Sequence, residues 1–175
     1  MTAEETEFSE FVRRHSRLVF QVAHAVLRNS HDAEDASQET FLKLYRNRGW
    51  KEAENERAFV ARAAWRVAID RRSRRTLPAQ AGAWSAEEVT SARPGPEQAL
   101  LRDRGEARVH ALIDALPEQL RQPLVLSPIQ ELNSREIGEI LSLPEGTVRT
   151  RLQRARQMLR GKISAIEEAS HARTR

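Results

Sequence analysis

Between residues 76 and 96 the helical rhythm of apolar side chains stops, and this interruption constrains the fold more than any other feature. The stretch holds Pro78, Gly82, Pro94, Gly95 and Pro96 among small polar residues, with Trp84 as its one large anchor. Such a composition offers turn conformers and fixed φ values but no face to bury. The chain therefore reads as two lobes on a flexible tether.

Both lobes carry helical periodicity. Phe8, Phe11, Val12, Val19, Val22, Ala23 and Val26 predict a first helix, interrupted at Asn29-Ser30. A second, over 32–46, opens with acids that suit the positive end of the helix dipole. Residues 47–57 are polar, contain Gly49 and Trp50, and read as a loop before a third helix over 57–72. Past the tether, Leu100, Leu101, Val109, Leu112, Ile113 and Leu116 predict a helix over 97–116. Pro117 can open another, whereas Pro123 and Pro128 should bend or break that helix, because each lacks a backbone donor. Asn133 and Glu136 have the spacing of a capping box, and Ile137, Ile140 and Leu141 give that helix its stripe. Ser142-Leu143-Pro144 makes a turn into a last helix over 144–163. Aromatics are only 5% of the chain, which disfavours sheets. The expected fold class is all-α, in two small helical domains: 1–75 with three or four helices, then a linker over 76–98. The second domain spans 99–168, and 169–175 should be a disordered tail.

With no cysteine, disulfides, thiolate zinc sites, iron–sulfur clusters and cysteine nucleophiles are excluded. The five histidines lack metal-ligand spacing, and neither GxGxxG nor GxxxxGK[ST] occurs. An enzyme is therefore not expected, nor a cofactor, a metal or a small-molecule substrate. Asp32, Asp35 and Glu39 could in principle hold Mg²⁺, but they face outward without convergent ligands. No window is apolar enough to span a bilayer, and the first ten residues carry four Glu rather than a basic leader. A cytoplasmic chain without membrane insertion is the expectation.

The net charge of +4 hides an asymmetry. Residues 60–75 contain Arg62, Arg66, Arg71, Arg72, Arg74 and Arg75 against Asp70 alone, and 146–162 contain five Arg and Lys162 with no acid. Two separated basic blocks suggest two contacts with a polyanion. On the last helix, Val148, Leu152, Ala155 and Leu159 fall on one side, leaving Arg149, Thr150, Gln153, Arg154 and Gln157 on the other. Arg, Gln and Thr together make a base-reading set, and a capped helix with a tight turn before it is the helix-turn-helix arrangement. Arg151 and Arg156 lie on the flanks, where phosphate contacts fit. Ordinary surface helices mix signs, which weighs against a merely solvated face.

The first lobe gives two more faces, each with an alternative. Asp32, Asp35, Gln38, Glu39 and Leu42 recur on one side of the second helix, beside Phe41. This is either a protein-docking surface or a solvated acidic face. On the third helix, Val60, Ala63, Ala64 and Val67 pack and Arg62, Trp65, Arg66 and Ile69 face the other way. Trp65 between two arginines suits unpaired bases, or else it is buried against the other lobe or the tether. Trp50 invites the same single-strand reading, and Arg71, Arg72, Arg74 and Arg75 would add phosphate contacts.

Two segments now carry a family likeness. DAEDASQETFLKLYR (32–46) resembles the core-polymerase-binding helix of bacterial extracytoplasmic-function sigma factors, of the sigma-70 superfamily. LPEQLRQPLVL (116–126) with EIGEILSLPEGTVRTRLQRAR (136–156) resembles their promoter-reading helix-turn-helix. The likeness implies a sigma-2-like domain followed by a sigma-4-like domain, and a factor that directs promoter-specific transcription initiation. It implies that Asp32, Asp35, Gln38, Glu39, Phe41 and Leu42 dock on the β′ clamp helices of core RNA polymerase, with the second domain near the β flap. The −35 element would be read by Arg149, Thr150, Gln153 and Arg154. The −10 element would be read and opened by Trp50, Lys51, Asn55, Arg62, Trp65 and Arg66. Promoter DNA would thus be met as duplex and as single strand, and an anti-sigma partner is common in such families. Phe59 stands where the family often has Trp, and Arg66 where it often has Asn. The competing function is a helix-turn-helix regulator with an N-terminal interaction domain, which would bind its operator alone and as a dimer.

Overall fold

The computed structural model describes residues 3–76, 96–129 and 132–172, and every regular element among them is helical. The first lobe comprises α1 (Ala3–Leu27), α2 (Ser30–Asn47) and α3 (Glu56–Thr76), with a single 3₁₀ turn at Gly49–Lys51. Its core is where α1 lays Phe11, Leu18, Val19, Val22, Ala23 and Val26 against Ala33, Ala36 and Leu44 of α2 and Val60, Ala61 and Ala64 of α3.

Capping residues set the boundaries. Asn29 Oδ1 accepts the Asp32 N–H at 2.9 Å, so α2 begins two residues earlier than its periodicity suggests. The same helix ends at Arg48, whose left-handed φ of 53° lets its N–H reach the Leu44 carbonyl. Asn55 Oδ1 accepts the Ala58 N–H at 3.1 Å and opens α3.

The second lobe holds α4 (Pro96–Asp114), α5 (Glu118–Leu126), α6 (Ser134–Leu141) and α7 (Glu145–Ala172). Three expectations need correction. Pro123 does not break its helix: α5 runs through it to Leu126, forgoing the one bond Pro123 would have given Gln119, while its ring is buried. α4 begins at Pro96, inside the span assigned to the linker, of which 77–95 lie outside the described residues. α7 continues to Ala172, so the proposed tail begins as helix.

The lobes are not held apart. α3 lies against α6 and α1 against α5, and one buried apolar cluster runs from Phe11 and Val22 through Trp65 to Leu126, Ile137 and Val148. Polar contacts edge this seam: Arg28–Asp114 at 2.8 Å, Arg72–Glu118 at 3.2 Å, Arg57–Glu136 at 3.8 Å and Asn55 Nδ2 to Glu139 at 3.5 Å.

Candidate nucleic-acid interface

The reading helix is positioned by its neighbours. Asn133 Oδ1 accepts the Glu136 N–H, and Glu136 Oε2 accepts the Asn133 N–H, both at 2.9 Å, so the predicted capping box is present. Ser142 takes a left-handed φ of 57° to end α6. A Cβ on Gly138 would lie 2.6 Å from the Leu143 carbonyl oxygen, so only glycine lets α6 approach the turn this closely. Val148, Leu152 and Ala155 of α7 are buried, and Arg149, Thr150, Gln153 and Arg154 are all exposed. The helical arithmetic on this face matches the structure through Ala155, and Leu159, expected on the same side, is half-buried. Arg149 pairs with Glu145 one turn earlier, and Thr150 Oγ1 donates to the Gly146 carbonyl at 2.9 Å. Arg156 is exposed and Arg151 half-buried, on the flanks.

On α2, Gln38 is exposed, Leu42 is 57% exposed, and Asp32, Asp35, Glu39 and Phe41 are half-buried. The acids are not bare. Arg71 of α3 donates from Nε to Glu39 at 2.8 Å and lies 3.7 Å from Asp35, while Arg75 pairs with Asp32. Lys43 holds the other Glu39 oxygen at 2.9 Å. Hydrogen bonding from Lys43, then from Arg71, keeps the Glu39 carboxyl below its ordinary range against the opposing effect of burial. Two of the four arginines of α3 expected to bind phosphate therefore meet acids of their own lobe. Arg72 meets Glu118 across the seam, and Arg74 is exposed.

The aromatic platforms are corrected. Trp50 is only 5% exposed: its ring lies 5.3 Å from Phe8 and 5.1 Å from Phe11, so it anchors the 3₁₀ turn in the core. The loop is polar by composition, but a turn this short over α1 brings its one large apolar group inward. Trp65 is 7% exposed, on the α3 face that also carries Arg62 beside the α6–α7 turn and Arg72 on Glu118. Of the two alternatives for Trp65, burial holds here. Arg66 remains exposed, Arg62 is half-buried, Asn55 caps α3, and exposed Lys51 sits 5.3 Å from the Trp50 ring centroid while pairing with Glu4 and Glu7.

Some polar contacts carry no local sequence signal. His15 is buried with its Nε2 3.1 Å from Glu56, which also binds Arg14 at 2.8 Å, and Glu136 is buried beside Arg57. Among the described residues no cluster of three or more His, Asp or Glu is arranged to hold a metal, and no helix is long and apolar enough to cross a membrane.

Comparison with known families divides the chain where the tether does. Residues 11–77 match the sigma-70 region 2 model, and 106–159 match the sigma-70 region 4 model. The chain is 30% identical to the ECF RNA polymerase sigma factor SigW of Bacillus subtilis, over 89% of its own length and 88% of that relative. It belongs to the extracytoplasmic-function sigma factors. It is also 34% identical, over 87% of its length, to the ECF RNA polymerase sigma factor SigE of Mycolicibacterium smegmatis, spanning 60% of that protein. In fold it is similar to the sigma factor RpoE of Bartonella quintana, solved with the anti-sigma factor NepR. The TM-score is 0.63 at 16% identity, covering 90% of this chain and 97% of that one. As a sigma factor it directs transcription initiation with core RNA polymerase at promoter DNA, and it is not an enzyme.

Proposed function

We propose that this sigma factor reads the −35 element through Arg149, Thr150, Gln153 and Arg154, with Arg151 and Arg156 on the flanking phosphates. The observation that carries the reading is the division of the first turns of α7, where Val148, Leu152 and Ala155 are buried and the four base-reading side chains all face solvent. Arg can take guanine, Gln adenine, and Thr a methyl or a phosphate. Docking on core polymerase, at its β′ clamp helices, falls to Asp32, Asp35, Gln38, Glu39, Phe41 and Leu42, where exposed Leu42 supplies an apolar anchor beside steering charge. The β flap lies near the second lobe in this reading. The −10 element is met by Lys51, Asn55, Arg62, Trp65 and Arg66, with Trp50 supporting the turn from beneath. Since Trp65 is buried in the free chain, whatever covers it moves aside before a base can stack on it. Arg72 and Arg74 then join the phosphate contacts.

An anti-sigma partner is part of the reading, supported by the complex in which the similar RpoE fold was solved. The site of action is the cytoplasm, in keeping with a polymerase-bound factor. Run-off transcription with purified core polymerase tests the whole: the chain should yield RNA with a defined start from a native template. A chain that instead binds an operator alone, as a dimer, and never programs the polymerase would overturn it.

A further inference from the structure

Two arginines that the sequence marks for phosphate, and three acids that the proposed function gives to core polymerase, are in contact with one another in the free chain. Arg71 and Arg75 lie one turn apart on α3, and Asp32, Asp35 and Glu39 keep helical spacing on α2, so the two rows run side by side. Arg71 bridges Asp35 and Glu39, and Arg75 holds Asp32. Each guanidinium has its charge offset by the carboxylates beside it, which weakens its pull on a phosphate, and a carboxylate so held is a poorer partner for an incoming cation. The Arg71–Glu39 pair is half-exposed, at 29% and 25%, and in the Arg75–Asp32 pair the arginine is 64% exposed, so each is weak enough to be exchanged. Leu42 beside them lets an arriving protein compete with more than charge.

We propose that this row is an ion-pair exchange. Basic side chains of core polymerase take over Asp32, Asp35 and Glu39, and the released Arg71 and Arg75 turn to promoter phosphates. Docking and promoter binding then strengthen each other, and because the coupling is thermodynamic, each raises the other's affinity by the same factor. In the free chain the same pairs hold two of the arginines away from DNA. The inference rests on the docking role assigned above to the α2 acids.

The full-length chain tests it by fluorescence titration with core polymerase alone and with non-specific duplex DNA alone. Arg71→Gln/Arg75→Gln frees the acids and should tighten core polymerase binding about two- to tenfold in the absence of DNA. Asp32→Asn/Asp35→Asn/Glu39→Gln frees the arginines and should raise the free chain's affinity for duplex. That rise should exceed the gain from Glu10→Gln/Glu34→Gln/Glu52→Gln, which makes the same charge change at exposed acids outside the row. Both changes are required: if the arginine variant does not tighten core binding, or the acid variant gains no more than its control, the exchange is overturned. If the acid variant also keeps full affinity for core polymerase, the docking reading falls with it. If it loses core binding while the arginine variant fails to gain, docking stands and the exchange alone is wrong. Should the triple variant lose its helical circular dichroism, Asp32→Asn against Arg75→Gln asks the same question of a single pair.

Discussion

α3 and α7 carry the two basic blocks of the chain, and from composition they look alike, yet α7 presents its reading face to solvent and α3 has much of its own covered. The difference comes from where the apolar residues sit. In the first turns of α7 only Val148, Leu152 and Ala155 need burial, all on one side, so the basic side is left over. α3 buries Val60, Ala61, Ala64, Val67 and Ala68 toward its own lobe and still carries Trp65 and Ile69 elsewhere. A helix with apolar groups on two sides is sandwiched, and the second lobe completes the sandwich. Availability of a basic residue is thus decided by what its apolar neighbours require.

The sharpest way to break this comparison is Trp65→Ala. In the closed arrangement it removes a buried ring and should lower stability by about 3–5 kcal/mol in urea unfolding. Arg154→Ala, on the open face, should stay within about 0.5 kcal/mol of the parent. A neutral Trp65→Ala would mean that the seam is open in solution. Next in size, Arg154→Ala in the assembled holoenzyme should cost about 1–3 kcal/mol at one −35 position in a base-substitution binding series. Equal loss on every sequence would assign Arg154 to phosphate.

Asn133→Ala should lower stability by about 1 kcal/mol, because it removes one acceptor of the capping box, as thermal unfolding would show. Since α6 both backs α7 and covers α3, this change should weaken −35 binding and loosen the seam together. A loss at one face alone would uncouple them.

The smallest effect is acid sensitivity at the α1–α4 corner. Burial, then the neighbouring His110, holds the His24 pKa below the ordinary histidine value of 6.5. For His110 the causes are burial and then Arg28, with Asp114 and Glu106 opposing. Both are thus favoured neutral in the folded state. Their contribution is complete above pH 6.5 and is lost as pH falls through the lowered values, so acidification should loosen this corner. His24→Gln/His110→Gln should flatten the pH dependence of unfolding in that window and leave −35 reading unchanged.

Local signals in the sequence are reliable guides to this fold. The Asn133–Glu136 box, the interruption at Asn29 and the apolar side of α7 all depend on residues within a turn or two of each other, and all are found. What the sequence does not announce depends on partners far along the chain. Arg71 meets Glu39 across 32 residues, and Asn55 meets Glu139 across 84, with no spacing rule to signal either. Trp50 looks exposed because its neighbours are polar, but Phe8 and Phe11, some forty residues earlier, decide its place. The end of α7 is hard to read because Gly161 and the thinning apolar pattern after Leu159 suggest a stop. The helix nonetheless continues through good helix formers such as Ala165, Glu167 and Glu168.

That continuation makes α7 a rod of 28 residues, thirteen of them beyond the matched region 4 segment. At about 1.5 Å per residue, Glu167 and Glu168 stand roughly 20 Å along the axis from Arg154, more than twice the physiological screening length of about 8 Å. Labels or charge changes at Glu167 or Glu168 are therefore largely screened from a duplex held at the other end, which makes this stem a convenient place to attach a reporter.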